Sequence, residues 1–145
     1  MANFEMSEVE FRSDGLSDSL TLTMAPGLFH ENLKREISNA ERENRELVLI
    51  SISLLSEPFD SVSRYEKALI EIAFGLRSQL RGGDFFVRIS DHGFWVLLRS
   101  SEVHAQVVLK RLDLPHAEHL ETYVLARKHD QYSEWIKRID PIHFS

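Results

Sequence analysis

The chain has 145 residues, 43% of them hydrophobic and 28% charged, which suits one globular domain and excludes a disordered or fibrous chain. Seventeen Lys and Arg against 23 Asp and Glu leave a net charge of −6, which argues against binding along a nucleic-acid backbone but leaves room for a small anion held by a few arginines. The absence of cysteine excludes disulfides, cysteine-bound zinc, iron–sulfur clusters and thiol nucleophiles, in keeping with a reducing cytoplasm.

The opening MANFEMSEVEF lacks the basic start and apolar stretch of a signal peptide. Nowhere does an apolar run reach the ~20 residues of a membrane span, so no membrane insertion is expected. Residues 1–18 set Glu5, Glu8, Glu10, Asp14 and Asp18 against Arg12 without a clear period, which reads as a flexible acidic arm before a domain spanning 19–145. From Gly27, the residues Leu28, Phe29, Leu33, Ile37 and Ala40 recur at helical spacing to about Asn44. The polar stretch KREISNAERENRE within and after it reads as a solvated face of mixed charge.

Leu47–Leu55 (LVLISISLL) has the composition of a central strand buried on both faces, ended by Pro58. Leu69, Ile72, Ala73, Leu76 and Leu80 form the inner stripe of a helix over 63–81, stopped by Gly82 and Gly83. Phe85–Ile89 and Phe94–Arg99 read as a hairpin around a four-residue turn, Ser90-Asp91-His92-Gly93. Val103, Val107, Val108 and Leu112 mark a third helix, and Leu120–Ala126 a fourth strand. Tyr132, Trp135, Ile136 and Ile139 mark a short last helix that Pro141 is expected to stop.

Without the outer helices the order is strand, helix, strand, strand, helix, strand. Right-handed crossovers then lay two helices on one face of a four-stranded antiparallel sheet, an α+β, ferredoxin-like or palm βαββαβ core with extra N-terminal and C-terminal helices.

Several residues resemble a known family. Asp18-Ser19-Leu20-Thr21, followed by Phe29, is similar to the D-x-L-T…F opening of GGDEF domains, the bacterial diguanylate cyclase fold. Arg81-Gly82-Gly83-Asp84 matches that family's R-x-x-D box, and Arg88 stands in the family's Arg place. Ser90, Asp91, His92, Gly93 and Phe94 then fall where the family has its G-G-(D/E)-E-F turn. The resemblance covers about residues 18–140. A second register, with Gly82-Gly83-Asp84-Phe85-Phe86 as the motif, leaves no strand before the turn. The hairpin register is preferred.

The resemblance also marks losses. The family's metal carboxylates fall at Ser51 and His92, its other strand Asp at Ser53 and its fourth motif acid at Gly93. The Asn that reads guanine falls near Phe59, with Asp60 and Glu66 as neighbouring acceptors. Ser90 and Asp91 replace the two glycines that let backbone approach phosphate. The final helix's Asp appears as Asp140, before Pro141, and the sequence ends at Ser145 before the family's following lysines. The pattern implies a degenerate, non-catalytic domain of bacterial signalling with no catalytic residues, no metal and no cofactor.

The R-x-x-D box implies a ligand site. In the family it binds cyclic di-GMP as an intercalated dimer, with the arginine fork on guanine or phosphate and the Asp on guanine N–H groups. Arg81 and Asp84 are the candidate residues here, with Arg111 or Lys110 in place of the family's second arginine. The plain reading is a helix end capped by a surface ion pair worth under about 1 kcal/mol. Arg88 reads chiefly as support for the hairpin, with Phe86 and Arg88 on one face of the strand and Val87 and Ile89 on the other.

Asp91 and His92 read as polar turn residues, and Trp95 and Trp135 as core or interface aromatics. His116-x-x-His119 with Glu118 invites zinc, but no fourth ligand is evident. Two rivals stand beside the cyclic di-GMP reading. One is an active diguanylate cyclase with magnesium displaced to Asp60, Glu66 or Asp91. The other is a ligand-free dimerisation scaffold, so a protein partner or a homodimer is expected under either binding reading.

Overall fold

A computed structural model describes residues 4–81 and 84–144. The elements are α1 (Pro26–Glu43), β1 (Val48–Leu54), α2 (Val62–Gln79), β2 (Phe85–Ser90), β3 (Gly93–Leu98), α3 (Glu102–Arg111), β4 (Leu120–Ala126) and α4 (Tyr132–Phe144). The four strands form one sheet in the order β2-β3-β1-β4, antiparallel throughout. This is the expected α+β arrangement.

β1 lies between β3 and β4, which is why its sequence is apolar on both faces. Val48, Ile50, Ile52 and Leu54 join Leu69, Ile72, Leu76 and Ala105 in a core beneath α2 and α3. Leu47 and Leu49 face the other way, into a second core with Phe29, Leu33 and Ile37 from α1, Trp95 from β3, and Trp135 and Ile139 from α4. Trp95 and Trp135 are thus core residues. Gly75 in α2 sits where the chain after α3 crosses, and a Cβ there would lie 3.1 Å from Leu114 Cδ2.

Four expectations need correction. Residues 4–18 lie on the domain rather than standing off as an arm. Val9 is buried in the first core with Phe4 and Met6 packed beside it, and the Glu10 N–H donates to Glu66 at 2.7 Å. The acids of this segment hid its few apolar contacts, at Phe4, Met6 and Val9. The hairpin turn is tighter than expected, because Ser90 pairs with Gly93 across a register shift, leaving Asp91 and His92 at the tip. α4 runs through Pro141 to Phe144, since proline deletes only its own N–H bond and α4 is already pinned upstream by Trp135 and Ile139. The charged face of α1 is not wholly solvated, because Glu36 is buried and takes both Nε, at 2.9 Å, and Nη2 of Arg99.

Candidate functional site

The R-x-x-D residues sit just past α2 rather than within it. α2 ends at Gln79, and Leu80 turns extended with φ −80 and ψ 146. The Asp84 N–H donates to the Arg81 carbonyl at 3.0 Å. Gly82 and Gly83, the expected helix stop, lie outside the described residues. β2 begins at Phe85, directly after Asp84, so the literal G-G-D lies ahead of a strand and the hairpin tip lies at 91–92.

Gln79 fixes what stands opposite. Its Nε2 donates to the Asp113 carbonyl at 2.9 Å, and the Asp113 N–H returns a bond to its Oε1 at 2.7 Å. The ends of α2 and α3 are thereby clamped side by side. Between them lies a cavity lined by Gln79, Leu80, Arg81, Asp84, His104, Val108, Arg111 and Leu112. Arg81, Asp84 and Arg111 therefore come together as expected. Lys110 is exposed and is not among the residues lining that cavity.

Two neighbouring recesses also share Arg81 and Asp84. One adds Leu98, Arg99, Ser100 and His104, and the other adds Leu22, Arg77, Phe85 and Phe86. Burial raises the Asp84 carboxyl above its ordinary value, opposed by the Arg81 N–H and by the charges of Arg81, His104 and Arg99. A carboxylate partly stripped of water and ringed by donors is poised to accept hydrogen bonds from a ligand. His104 was missed from the sequence. Its signal was positional, since 104, 108 and 111 fall on one face of α3.

The other end of β2 carries the hairpin tip. Arg88 is fully buried, with Nη1 3.2 Å from each oxygen of Asp18 and Nη2 donating to the Asp91 carbonyl at 3.1 Å. Asp18 also accepts from the Thr21 N–H at 2.9 Å and the Thr21 hydroxyl at 2.8 Å. The Asp of the D-x-L-T opening is thus the counter-charge of the strand arginine, which does support the hairpin. Asp91 Oδ1 lies 2.7 Å from His92 Nδ1. That bond is the chief reason the Asp91 carboxyl lies below its ordinary value.

Ser53 pairs with Gly93 and Ser51 with Trp95 across β1 and β3, and the Leu54 N–H donates to the His92 carbonyl at 2.9 Å. Ser51 thus sits two residues earlier on β1, opposite Trp95, whereas Ser53 lies beside the hairpin tip. Ser53, Glu57, Tyr65, His92, Glu121 and Tyr123 line one cavity there. Tyr65 donates to the Leu54 carbonyl at 2.6 Å, and burial raises its phenol. A hard divalent cation needs converging carboxylate oxygens. Glu57 and Glu121 are the carboxylates lining this cavity, and no group of three or more His, Asp or Glu placed to hold a metal ion is found among the described residues.

The acids offered for a displaced metal are engaged separately. Asp60 pairs with Arg64 at 3.5 Å, Glu66 holds the Glu10 N–H at 2.7 Å, and Asp91 holds His92 at 2.7 Å. Phe59 packs edge-on against Tyr65, His116 and His119. His116 faces Glu71 at 3.4 Å and His119 faces Glu118 at 3.5 Å.

No protein-family model and no curated protein sequence matches the chain. Solved structures do. The GGDEF domain of DgcB from Caulobacter crescentus, in complex with cyclic di-GMP, superposes over 92% of this chain and 90% of its own, with a TM-score of 0.75 at 14% identity. The fold is that of a GGDEF domain. The FimX GGDEF domain of Pseudomonas aeruginosa gives a TM-score of 0.70 at 18% identity over 84% of this chain and 87% of its own. The diguanylate cyclase SiaD of P. aeruginosa, in complex with its activator SiaC, gives 0.70 at 22% identity over 88% of this chain and 56% of its own. At such identities the likeness establishes the GGDEF fold. No helix of the described residues is long and apolar enough to cross a membrane.

Proposed function

We propose that this GGDEF-fold domain is a non-catalytic cyclic di-GMP receptor of a bacterial cytoplasmic signalling pathway, with Arg81, Asp84 and Arg111 as its binding residues. The observation that carries the reading is the convergence of these three side chains on one cavity between α2 and α3. Two guanidinium groups can grip phosphate or the O6/N7 edge of guanine, and Asp84 can accept from the guanine N–H groups. The GGDEF domain of DgcB, whose fold this chain shares, was solved with that dinucleotide bound.

The non-catalytic half of the reading rests on the hairpin and β1. Joining two GTP molecules calls for divalent metal at the phosphates, and this chain offers Ser51, Ser53, His92 and Gly93 at the aligned positions. Isothermal titration with cyclic di-GMP should give saturable heat for the wild type and none for Arg81→Ala, whose circular dichroism melt is unchanged. Absence of heat from the wild type at saturating ligand overturns the receptor reading. Incubation with GTP and Mg²⁺ or Mn²⁺ should yield no cyclic product on chromatography, and a product peak overturns the non-catalytic reading.

A further inference from the structure

The solvent side of α2 carries Lys67, Ile70, Phe74 and Arg77 in a stripe at helical spacing. Ile70 is 43% and Phe74 68% exposed. The apolar surface continues off the helix at Leu22, which is 73% exposed. Arg77 fastens that turn beside the stripe, its Nη2 donating to the Thr21 carbonyl at 3.1 Å. Leu22 and Arg77 line a groove with Leu80 and Phe86. Leu22 has φ +61, a region that leucine enters against a steric cost. So exposed a side chain recovers little of that cost by burial within this domain.

The charges around the stripe are one-sided. Lys67, Arg77 and Arg81 are exposed cations. The flanking acids face away to other partners: Glu66 holds the Glu10 N–H at 2.7 Å, and Glu71 lies 3.4 Å from His116 Nε2. On a chain of net charge −6 this is a local inversion of sign.

We propose that this face docks an acidic amphipathic helix of a partner protein, its apolar ridge against Ile70, Phe74 and Leu22 and its carboxylates on Lys67 and Arg77. A ridge of residues at i and i+4 is what one helix offers another. A second copy of the chain is disfavoured, because a two-fold contact sets Lys67 and Arg77 against their own images. An anionic bilayer is disfavoured by the net charge. The proposal does not depend on the cyclic di-GMP reading.

The probe is a synthetic fluorescein-labelled helix with leucines on one stripe and glutamates on its flanks, titrated by anisotropy and mapped by ¹⁵N–¹H spectra. Saturable binding is expected, weakened by salt, with shifts confined to α2 and residues 21–24. Phe74→Ala and Lys67→Glu should each weaken it about tenfold while cyclic di-GMP titration of the same variants is unchanged. Loss of the dinucleotide signal alone would strike the receptor reading and leave this one standing. No saturation, shifts elsewhere, or equal binding of a lysine-flanked helix overturns the proposal. So does Phe74-dependent self-association, or Phe74-dependent sedimentation with phosphatidylglycerol vesicles.

Discussion

Removing the Asp18 carboxylate should be among the costliest single changes outside the apolar cores. Asp18 and Arg88 are both fully buried, and the guanidinium meets the carboxylate through Nη1 alone, at 3.2 Å to each oxygen. Asp18→Ala leaves a buried cation without its counter-charge, which costs about 3–5 kcal/mol. The Thr21 N–H and hydroxyl lose their bonds to Asp18 as well, at up to about 1 kcal/mol each, the hydroxyl keeping Thr23 Oγ1 at 3.0 Å. A combined loss of up to about 5–7 kcal/mol lowers the melting temperature of a domain this size by up to roughly 15–25 °C. Urea unfolding followed by circular dichroism reads the change directly, with an unaltered m-value. The double variant Asp18→Leu, Arg88→Met removes both charges and should recover most of the loss, since a buried ion pair often stabilises no more than apolar groups of similar volume. A cost for Asp18→Ala below about 1 kcal/mol, the scale of an exposed pair, refutes the reasoning. So does a double variant no more stable than the single one.

Leu22→Gly should stabilise the isolated domain by about 0.5 kcal/mol, because relief of the left-handed φ outweighs the chain entropy glycine adds; a shift of the urea midpoint to lower concentration contradicts it. Asp84 makes stability depend on pH. Its folded-state carboxyl is raised above the ordinary 3.8, so its contribution is present below that pH and lost as pH rises through the raised value. Asp84→Asn should therefore stabilise the domain at neutral pH and flatten that part of the profile, while cyclic di-GMP titration loses affinity.

β1 and β3 were plain in the sequence because they are apolar on both faces, and the helices because their inner stripes recur at helical spacing. The hairpin turn was misjudged by two residues, since the shift between Arg88 and Ser90 comes with a bond from Arg88 to the Asp91 carbonyl that no local pattern encodes. Asp18 and Glu36 looked solvated because acids in charged runs usually are. Their partners, Arg88 and Arg99, stand 70 and 63 residues away. A signal was present in one of these cases: Arg88 amid Phe86, Val87 and Ile89 cannot be buried without a counter-charge. Arg81 and Asp84 entered as candidates through the resemblance to the R-x-x-D box, whereas the place of His104 on their cavity needed the pairing of α2 with α3 that Gln79 and Asp113 enforce.

The two ends of β2 divide the labour of this domain. Arg81 and Asp84 lie just before its first residue, and Asp91 and His92 just after its last, so six residues of extended chain hold them about 20 Å apart. At the far end, Arg88 secures the Asp91 carbonyl and Asp91 holds His92, so both tip residues are tied down. The Asp91 carboxyl, depressed chiefly by His92, contributes stability that is present above the ordinary aspartate value and lost as pH falls through the depressed one. Asp91→Ala should erase that acid-side loss and lower stability at neutral pH. Because no side chain of the tip reaches the Arg81 cavity, the same variant should bind cyclic di-GMP within about twofold of the wild type, the additivity expected of distant sites. A large loss of affinity from Asp91→Ala would mean that the ligand spans both ends of the strand, and the assignment to Arg81, Asp84 and Arg111 would fall with it.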